Sequence, residues 1–203
     1  MLYGWMGRNL EVDLASGNIE HIEGDRDRYE QYLGGKGTNA REFWSRVTPE
    51  VSPLSPENPI IIGNGVLTGT QVPGANRAIF TFRSPLTDLH QHCAVGGLWP
   101  TELKHAGYDG VILSGRSAAP VYLWIHDDRV ELRDAAHLWG KSTDQAKRLI
   151  REELQSSEVQ VLSIGQAGEN RVMGASIEDC VASSVSRGGI GALMGDKKVK
   201  AIA

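Results

Sequence analysis

The sequence predicts an α+β fold of two related β-sheet halves with short helices, in one domain spanning residues 1–203. Three observations carry that expectation. Short apolar strands and amphipathic helices are mixed without the strict alternation of βα units. A length of 203 residues suits a single domain, or two small ones sharing a core. A pattern also recurs: Ile60-Ile61-Ile62-Gly63, Asn76-Arg77 and Gly96-Gly97, then Leu162-Ser163-Ile164-Gly165, Asn170-Arg171 and Gly188-Gly189. Each Asn-Arg pair is expected to open a strand and each glycine pair a helix. A duplication would thus bring two glycine-led helix starts to one shared site.

The elements follow in order. Leu10, Val12 and Leu14 alternate with acidic residues, Ala15 to Asn18 turn, and Ile19 and Ile22 follow, which predicts a hairpin. Asp25 to Leu33 is polar and stops at Gly34-Gly35. Gly37-Thr38-Asn39 then opens a helix with Ala40, Phe43, Trp44 and Val47 on one side. Val51 to Pro59, with three prolines, reads as an ordered loop feeding the buried strand Ile60-Ile61-Ile62. Strands are expected at Arg77–Phe82, Val111–Leu113, Val121–Ile125, Val130–Leu132 and Val159–Ile164. A short helix runs from Gly96-Gly97 through Leu103. The strongest helix signal is Ser142–Leu154, where Ser142 and Gln145 have capping-box spacing and Ala146, Leu149, Ile150 and Leu154 share a face.

Composition excludes several classes. With 40% hydrophobic and 23% charged residues the chain is ordinary globular material, not a disordered segment. A net charge of −4 gives no general attraction to nucleic acid or an anionic membrane. No apolar run reaches the roughly 18 residues a membrane span needs. The N-terminus lacks the long apolar core of a secretory signal. Cys93 and Cys180 cannot form a disulfide framework and read as reduced thiols in a cytoplasmic protein.

The 24 glycines are the informative excess. Glycine ahead of a helix start bares several N–H groups and suits anions. Three places qualify: Gly34 to Gly37, Val95 to Gly97, and Ser183 to Gly191, the last joining hydroxyls, an arginine and open backbone. Nucleotide signatures do not close, because Asp196 stands where a P-loop would need lysine. His90-Gln91-His92-Cys93 holds three metal-ligand types, yet no second cluster completes a zinc set; a polar cofactor or pocket wall fits better. His126 beside Asp127-Asp128 reads as a solvated turn, and no nucleophile–base–acid constellation is visible.

A series of motifs in order carries a family resemblance. It comprises Leu54-Ser55-Pro56-Glu57-Asn58, Leu67-Thr68-Gly69-Thr70, Arg83-Ser84-Pro85-Leu86-Thr87 and Glu102-Leu103-Lys104-His105-Ala106-Gly107-Tyr108-Asp109. Leu138-Trp139-Gly140-Lys141, Ile164-Gly165-Gln166-Ala167-Gly168-Glu169-Asn170 and Arg187-Gly188-Gly189-Ile190-Gly191-Ala192-Leu193-Met194-Gly195-Asp196-Lys197 complete it. Across essentially the whole chain this resembles the N-terminal domain of tungsten-containing aldehyde ferredoxin oxidoreductases. Tyr32 to Ala40 and Ser184 to Arg187 lean toward the branch that includes the tungsten subunit of class II benzoyl-CoA reductases.

The resemblance implies a domain that binds tungsten (or molybdenum) held by two pterins, whose phosphates are bridged by magnesium. By position it implies cofactor contacts at Arg77, at Ala94, Val95, Gly96 and Gly97, and at Ser183, Ser184, Val185, Ser186 and Arg187. Magnesium falls to the backbone carbonyls of Ala94 and Ser184. The chain departs from the family pattern with Ala94-Val95 before the first glycine pair and Ser183-Ser184-Val185-Ser186 before the last; backbone contacts survive these changes, a side-chain arginine contact at Ser183 does not. The family's 4Fe-4S cysteines and substrate residues belong to later domains absent from these 203 residues. The chain is therefore expected to be a domain, a fragment or one subunit of a split enzyme, inactive alone. Its expected partners are the remaining domains or subunits, with ferredoxin as electron partner, and it involves no nucleic acid. The implied activity is oxidation of aldehydes to carboxylic acids, or alternatively reduction of an aromatic acyl-CoA. A non-catalytic scaffold module is the reading from a different class. A domain of this kind should expose an apolar face beside the cofactor loop, with Val95, Leu98 and Trp99 as candidates.

Overall fold

The computed structural model describes residues 4–179 and 183–203; Cys180 lies outside them. The first half runs β1 (Arg8–Asp13), β2 (Asn18–Glu23), α1 (Arg26–Tyr32), α2 (Lys36–Arg46), β3 (Ile60–Asn64), β4 (Ala78–Arg83), β5 (His90–Val95), α3 (Trp99–His105) and β6 (Gly110–Ser114). The second runs β7 (Val121–His126), β8 (Arg129–Asp134), α4 (Thr143–Glu153), β9 (Leu162–Ser163), α5 (Gln166–Glu169), β10 (Ile177–Glu178), β11 (Ser184–Val185), α6 (Ile190–Asp196) and β12 (Val199–Ile202). Among the described residues no helix is long and apolar enough to cross a membrane.

Each half forms a six-stranded mixed sheet, and the two strand orders are the same. The first is β2-β1-β6-β3-β4-β5; the second, read from its other edge, is β8-β7-β12-β9-β10-β11. In each, only the first and last strands of the half, β1 with β6 and β7 with β12, pair in parallel. The duplication is therefore present in the topology. Its sequence signal holds only in part. Arg77 immediately precedes β4, as expected, but Arg171 opens no strand and lies instead in a left-handed turn (φ 56°) after α5. Both glycine pairs do lead into helices, α3 and α6, at matching places in the two halves.

Strand alternation sends Leu10 and Val12 of β1, Phe80 and Phe82 of β4 and Val95 of β5 into a core that Leu123, Leu162, Ile177, Val185 and Ile202 also line. One apolar cluster thus serves both sheets. Ile60, Ile61 and Ile62 are all buried because α2 covers the second face of β3. The inward side of α2 differs from the expected apolar stripe. Trp44 is 82% exposed, whereas Asn39 is buried and donates to Ile61 O (3.2 Å), Ile79 O (2.8 Å) and Thr81 Oγ1 (3.3 Å). Gly63 makes room for it, since a Cβ there would meet the Asn39 amide. The Ser142 capping box is present, with Gln145 N–H donating to Ser142 Oγ and Ser142 N–H to Gln145 Oε1. The predicted strand Val159–Ile164 forms a strand only at Leu162–Ser163, where it lies between β12 and β10.

Lys197 is fully buried, with Nζ donating to Pro56 O (3.1 Å) and Gly115 O (2.8 Å). Burial pushes its ammonium from the ordinary 10.5 down to about 8. Below that pH the folded and unfolded chains both hold the proton. Between about 8 and 10.5 the unfolded chain holds more, so this group's contribution to stability rises with pH, by about 3 kcal/mol in all. The Cys93 thiol, pushed up to about 12 by burial, works in the opposite sense above its ordinary pKa. Urea unfolding of the wild type and Lys197→Met at pH 7.5 and 10 isolates the lysine: the wild type should gain relative to the variant at the higher pH.

Candidate functional site

The two glycine-led loops meet. Chain leaving β5 passes Gly96 and Gly97 into α3, and chain leaving β11 passes Gly188 and Gly189 into α6. Gly96 N–H donates to Ser183 Oγ (3.0 Å), which ties the loops together. Ser183 N–H in turn donates to Asp179 Oδ1 (2.7 Å), and Asp179 N–H to Ser183 O (2.9 Å). Further along, Cys93 Sγ donates to Arg187 O (3.8 Å) and Ser84 Oγ to Gly188 O (2.8 Å). The residues expected at the site from the sequence all lie on these loops or against them.

Two glycines here leave room for side chains that lie against the loop. A Cβ at Gly96 would stand 2.6 Å from Arg77 Nη1, so the guanidinium lies directly on bare backbone. At Gly97 a Cβ would stand 2.5 Å from Asp179 Oδ2, and its φ of +78° already favours glycine. Arg77 precedes β4, with its carbonyl accepting from Gly65 N–H (3.2 Å) and Thr68 Oγ1 (3.1 Å). Its backbone is fixed while its side chain is exposed. Among the described residues neither the Arg77 nor the Arg187 guanidinium has a hydrogen-bond or ion-pair partner.

The structure also sorts the candidates by what they can offer. Val95 and Val185 are fully buried, so only their main chains face the loops. Ala94, Ser186 and Arg187 are exposed, and Ser183 and Ser184 are half-buried. The expectation of an apolar face at Val95, Leu98 and Trp99 holds for Leu98 alone, 49% exposed. Trp99 is buried because its ring packs beside Phe80 (6.3 Å) and its Nε1 donates to Ile202 O (3.2 Å). The chain turns its indole inward to bridge the two sheets.

The His90-Gln91-His92-Cys93 cluster is divided by strand alternation. His90 and His92 share the outer face of β5, their rings 6.2 Å apart, while Cys93 points to the core. Among the described residues no group of three or more His, Cys, Asp or Glu is placed to hold a metal ion. His90 packs edge-on against Phe43 of α2 (4.8 Å). Burial, then the charges of Lys36 and Arg187, push the His92 imidazole below its ordinary pKa. Burial, His92 and Lys36 do the same to His90. Sequence reasoning missed Ser84 and Asp179 here; only the fold brings them to the loops. His126 sits in the β7–β8 hairpin, stacked on Trp124 (5.7 Å).

Known proteins share this fold and sequence. The family model "Aldehyde ferredoxin oxidoreductase, N-terminal domain" matches residues 9–203. A tungsten-containing aldehyde ferredoxin oxidoreductase of Pyrococcus furiosus is 42% identical over 202 residues, covering 100% of this chain and 33% of the relative. The WOR-like subunit of an aliphatic sulfonate oxidoreductase from the same organism is 32% identical, covering 99% of this chain and 34% of the relative. Among solved structures, the active-site complex BamBC of benzoyl coenzyme A reductase with 1,5-dienoyl-CoA superposes with a TM-score of 0.97 at 51% identity, over 100% of this chain and 31% of that one. The chain spans about a third of the length of these relatives. With the family model filled from residue 9 onward, the same fold and this degree of identity, the chain belongs to the aldehyde ferredoxin oxidoreductase family as its N-terminal domain.

Proposed function

We propose that this domain binds a tungsten–bis-pterin cofactor of an oxidoreductase, using the seam where its two glycine-led loops join. The observation that carries the reading is the unpartnered Arg77 guanidinium lying on bare Gly96, within one hydrogen bond of the second loop. The residues present fit such a group. Bare glycine backbone lets Arg77 lie against the first loop, and two guanidinium forks without partners among the described residues stand beside the seam to meet phosphates or pterin carbonyls. Magnesium between the phosphates would take the backbone carbonyls of Ala94 and Ser184, on strands that lie against one another. When bound, the cofactor supplies two-electron chemistry, while this chain orients it and balances its charge. Iron–sulfur and substrate sites fall to further domains or subunits of the same enzyme, with ferredoxin as electron partner.

For the whole enzyme the leading reading is oxidation of aldehydes to carboxylic acids. The 51% identity to the benzoyl-CoA reductase complex favours a second reading, reduction of an aromatic acyl-CoA. Elemental analysis and pterin fluorescence on protein produced with its partners in a tungstate-supplied anaerobe test the cofactor. Viologen-linked assays with aldehydes and with a cyclic dienoyl-CoA then separate the substrates. Stable protein that never acquires metal or pterin would instead support the non-catalytic scaffold.

Arg77→Lys and Arg187→Lys test the two forks. Lysine keeps the charge and loses the planar pair of donors, so cofactor content should fall in each variant. A charge-assisted bond of about 1.5–3 kcal/mol is at stake at each position. Because both side chains are exposed and unpartnered, thermal unfolding of the cofactor-free chain should be unchanged. Full metal and pterin content in both variants would remove these arginines from the site.

A further inference from the structure

We propose that the cavity between the α1–α2 pair and the outer face of the first sheet binds a small planar N-heterocycle bearing amino N–H donors. None of the cavity's walls belongs to the loop seam, and the cofactor reading is not needed for it.

The cavity measures about 260 Å3, with β1, β6 and β3 as its floor and α1 and α2 as its roof. On that floor Gly63 lies directly opposite Gly110, and Ile61 opposite Ile112. All four face the helices, because their neighbours Ile60, Ile62, Val111 and Leu113 point into the core. The stacked rings of Tyr29 and Trp5, 5.5 Å apart, make one wall. Ile22, Glu23 and Asp25 are exposed and leave a mouth. Drug-sized ligands usually occupy roughly 300–1,000 Å3, so this space suits one fused ring system and is small for a whole nucleotide.

Two amide oxygens stand over this floor without a donor. Asn39 is only 3% exposed, and its Nδ2 is held by Ile61 O and Ile79 O; a flipped amide would set oxygen against both carbonyls. Its Oδ1 therefore lies over Gly63, where a Cβ would collide with it. Asn9 is oriented by the same logic. Tyr29 gives its one hydroxyl hydrogen to Asp109 Oδ2 (3.1 Å), so Asn9 must offer Nδ2 to that hydroxyl (3.0 Å). Asn9 Oδ1 then lies 3.1 Å from where a Gly110 Cβ would stand. Among the described residues neither oxygen accepts a hydrogen bond. Directly opposed Cβ positions are about 4.5–5.5 Å apart, so the two acceptors are close enough for donors on one ring system.

Charge in the cavity is already answered. Glu11 meets Arg46, Glu42 meets both Arg28 and Arg46, and Asp109 meets Lys104. A buried acceptor without a donor is costly, and a desolvated ammonium would bring a charge with no counter-ion. An amino-substituted ring supplies neutral donors at its edge while its face lies on glycine backbone and apolar side chains.

Calorimetry on the purified chain with 2,6-diaminopurine tests the site. We expect saturable binding, weaker by about ten-fold or more for unsubstituted purine, which lacks the amino donors. Asn9→Ala removes one acceptor and keeps the Tyr29–Asp109 bond, so it should lower affinity for diaminopurine by about ten-fold while affecting purine little. Ile112→Phe puts a ring into the cavity and should abolish binding; because it fills existing space, the variant should stay folded. No binding at millimolar diaminopurine, equal affinity for purine, or undiminished binding by Ile112→Phe overturns the proposal. Should Ile112→Phe fail to fold, the purine pair and Asn9→Ala decide it. Protein without metal or pterin should bind as well as loaded protein, so failure of the cofactor reading would leave this result standing.

Discussion

Glu169→Ala is expected to destabilise the chain by about 3–5 kcal/mol, since it leaves a buried ammonium without its counter-charge. Lys200 lies wholly inside, on the strand between β7 and β9, and is paired with Glu169, whose side chain is 5% exposed. Its Nζ also donates to Lys141 O (2.8 Å), and Gly140 N–H donates to Glu169 Oε2 (2.8 Å). Burial already pushes the Lys200 ammonium below its ordinary pKa, and Glu169 opposes that push. Without the carboxylate, folding would favour the neutral amine, so the loss should shrink as the pH is raised. For a chain of this length the melting temperature should drop by roughly 6–20 °C near pH 7. Replacing both partners, as Glu169→Leu with Lys200→Met, should recover much of the loss. Urea unfolding of the single and double variants decides the matter; a single variant as stable as the wild type would show that the pair contributes nothing.

Gly195→Ala should be comparably severe, about 3 kcal/mol, and should reach the site as well. Helix α6 crosses α5 with glycine at the contact. A Cβ at Gly195 would run into the Gly168 carbonyl, and one at Gly191 would stand 2.7 Å from Ala175 O. Both obstacles are main chain, which cannot rotate aside, so α6 must move. Its first turn follows Gly188 and Gly189, both at left-handed φ (71° and 81°), and these hold the second loop against Ser84 and Cys93. Lower stability and lower cofactor content are therefore expected together. Gly174→Ala is the control, because nothing lies within 4 Å of a Cβ there. It should change stability by less than about 1 kcal/mol.

Much of the fold was legible because local chemistry and tertiary structure agree. The β1–β2 hairpin, the Ile60–Ile62 strand and the Ser142 cap each form where their own residues favour them. Where the two levels differ, packing prevails. Phe43, Trp44 and Val47 recur at helical spacing, yet α2 turns Asn39 inward because that amide meets two strand carbonyls at once. Strand β12 carries Lys200 in its centre, a residue no pattern would bury without knowledge of Glu169. The two loops at the candidate site were legible as glycine-led turns, since the demand for glycine is local. Ser84 and Asp179 were not, because they reach the loops only through the tertiary fold.

The matching strand orders bear on why the two halves stay together. Each turns an apolar sheet face to the other, and these faces meet in one cluster; a second cluster lies between the second sheet and α4. A chain of half this length, with one such sheet, would leave that face in water and would be driven to pair with its own copy. The present chain is equivalent to such a pair joined end to end. At matching places its two halves carry Ala94-Val95-Gly96-Gly97 and Ser186-Arg187-Gly188-Gly189, so the two loops that meet offer different side chains to whatever lies between them.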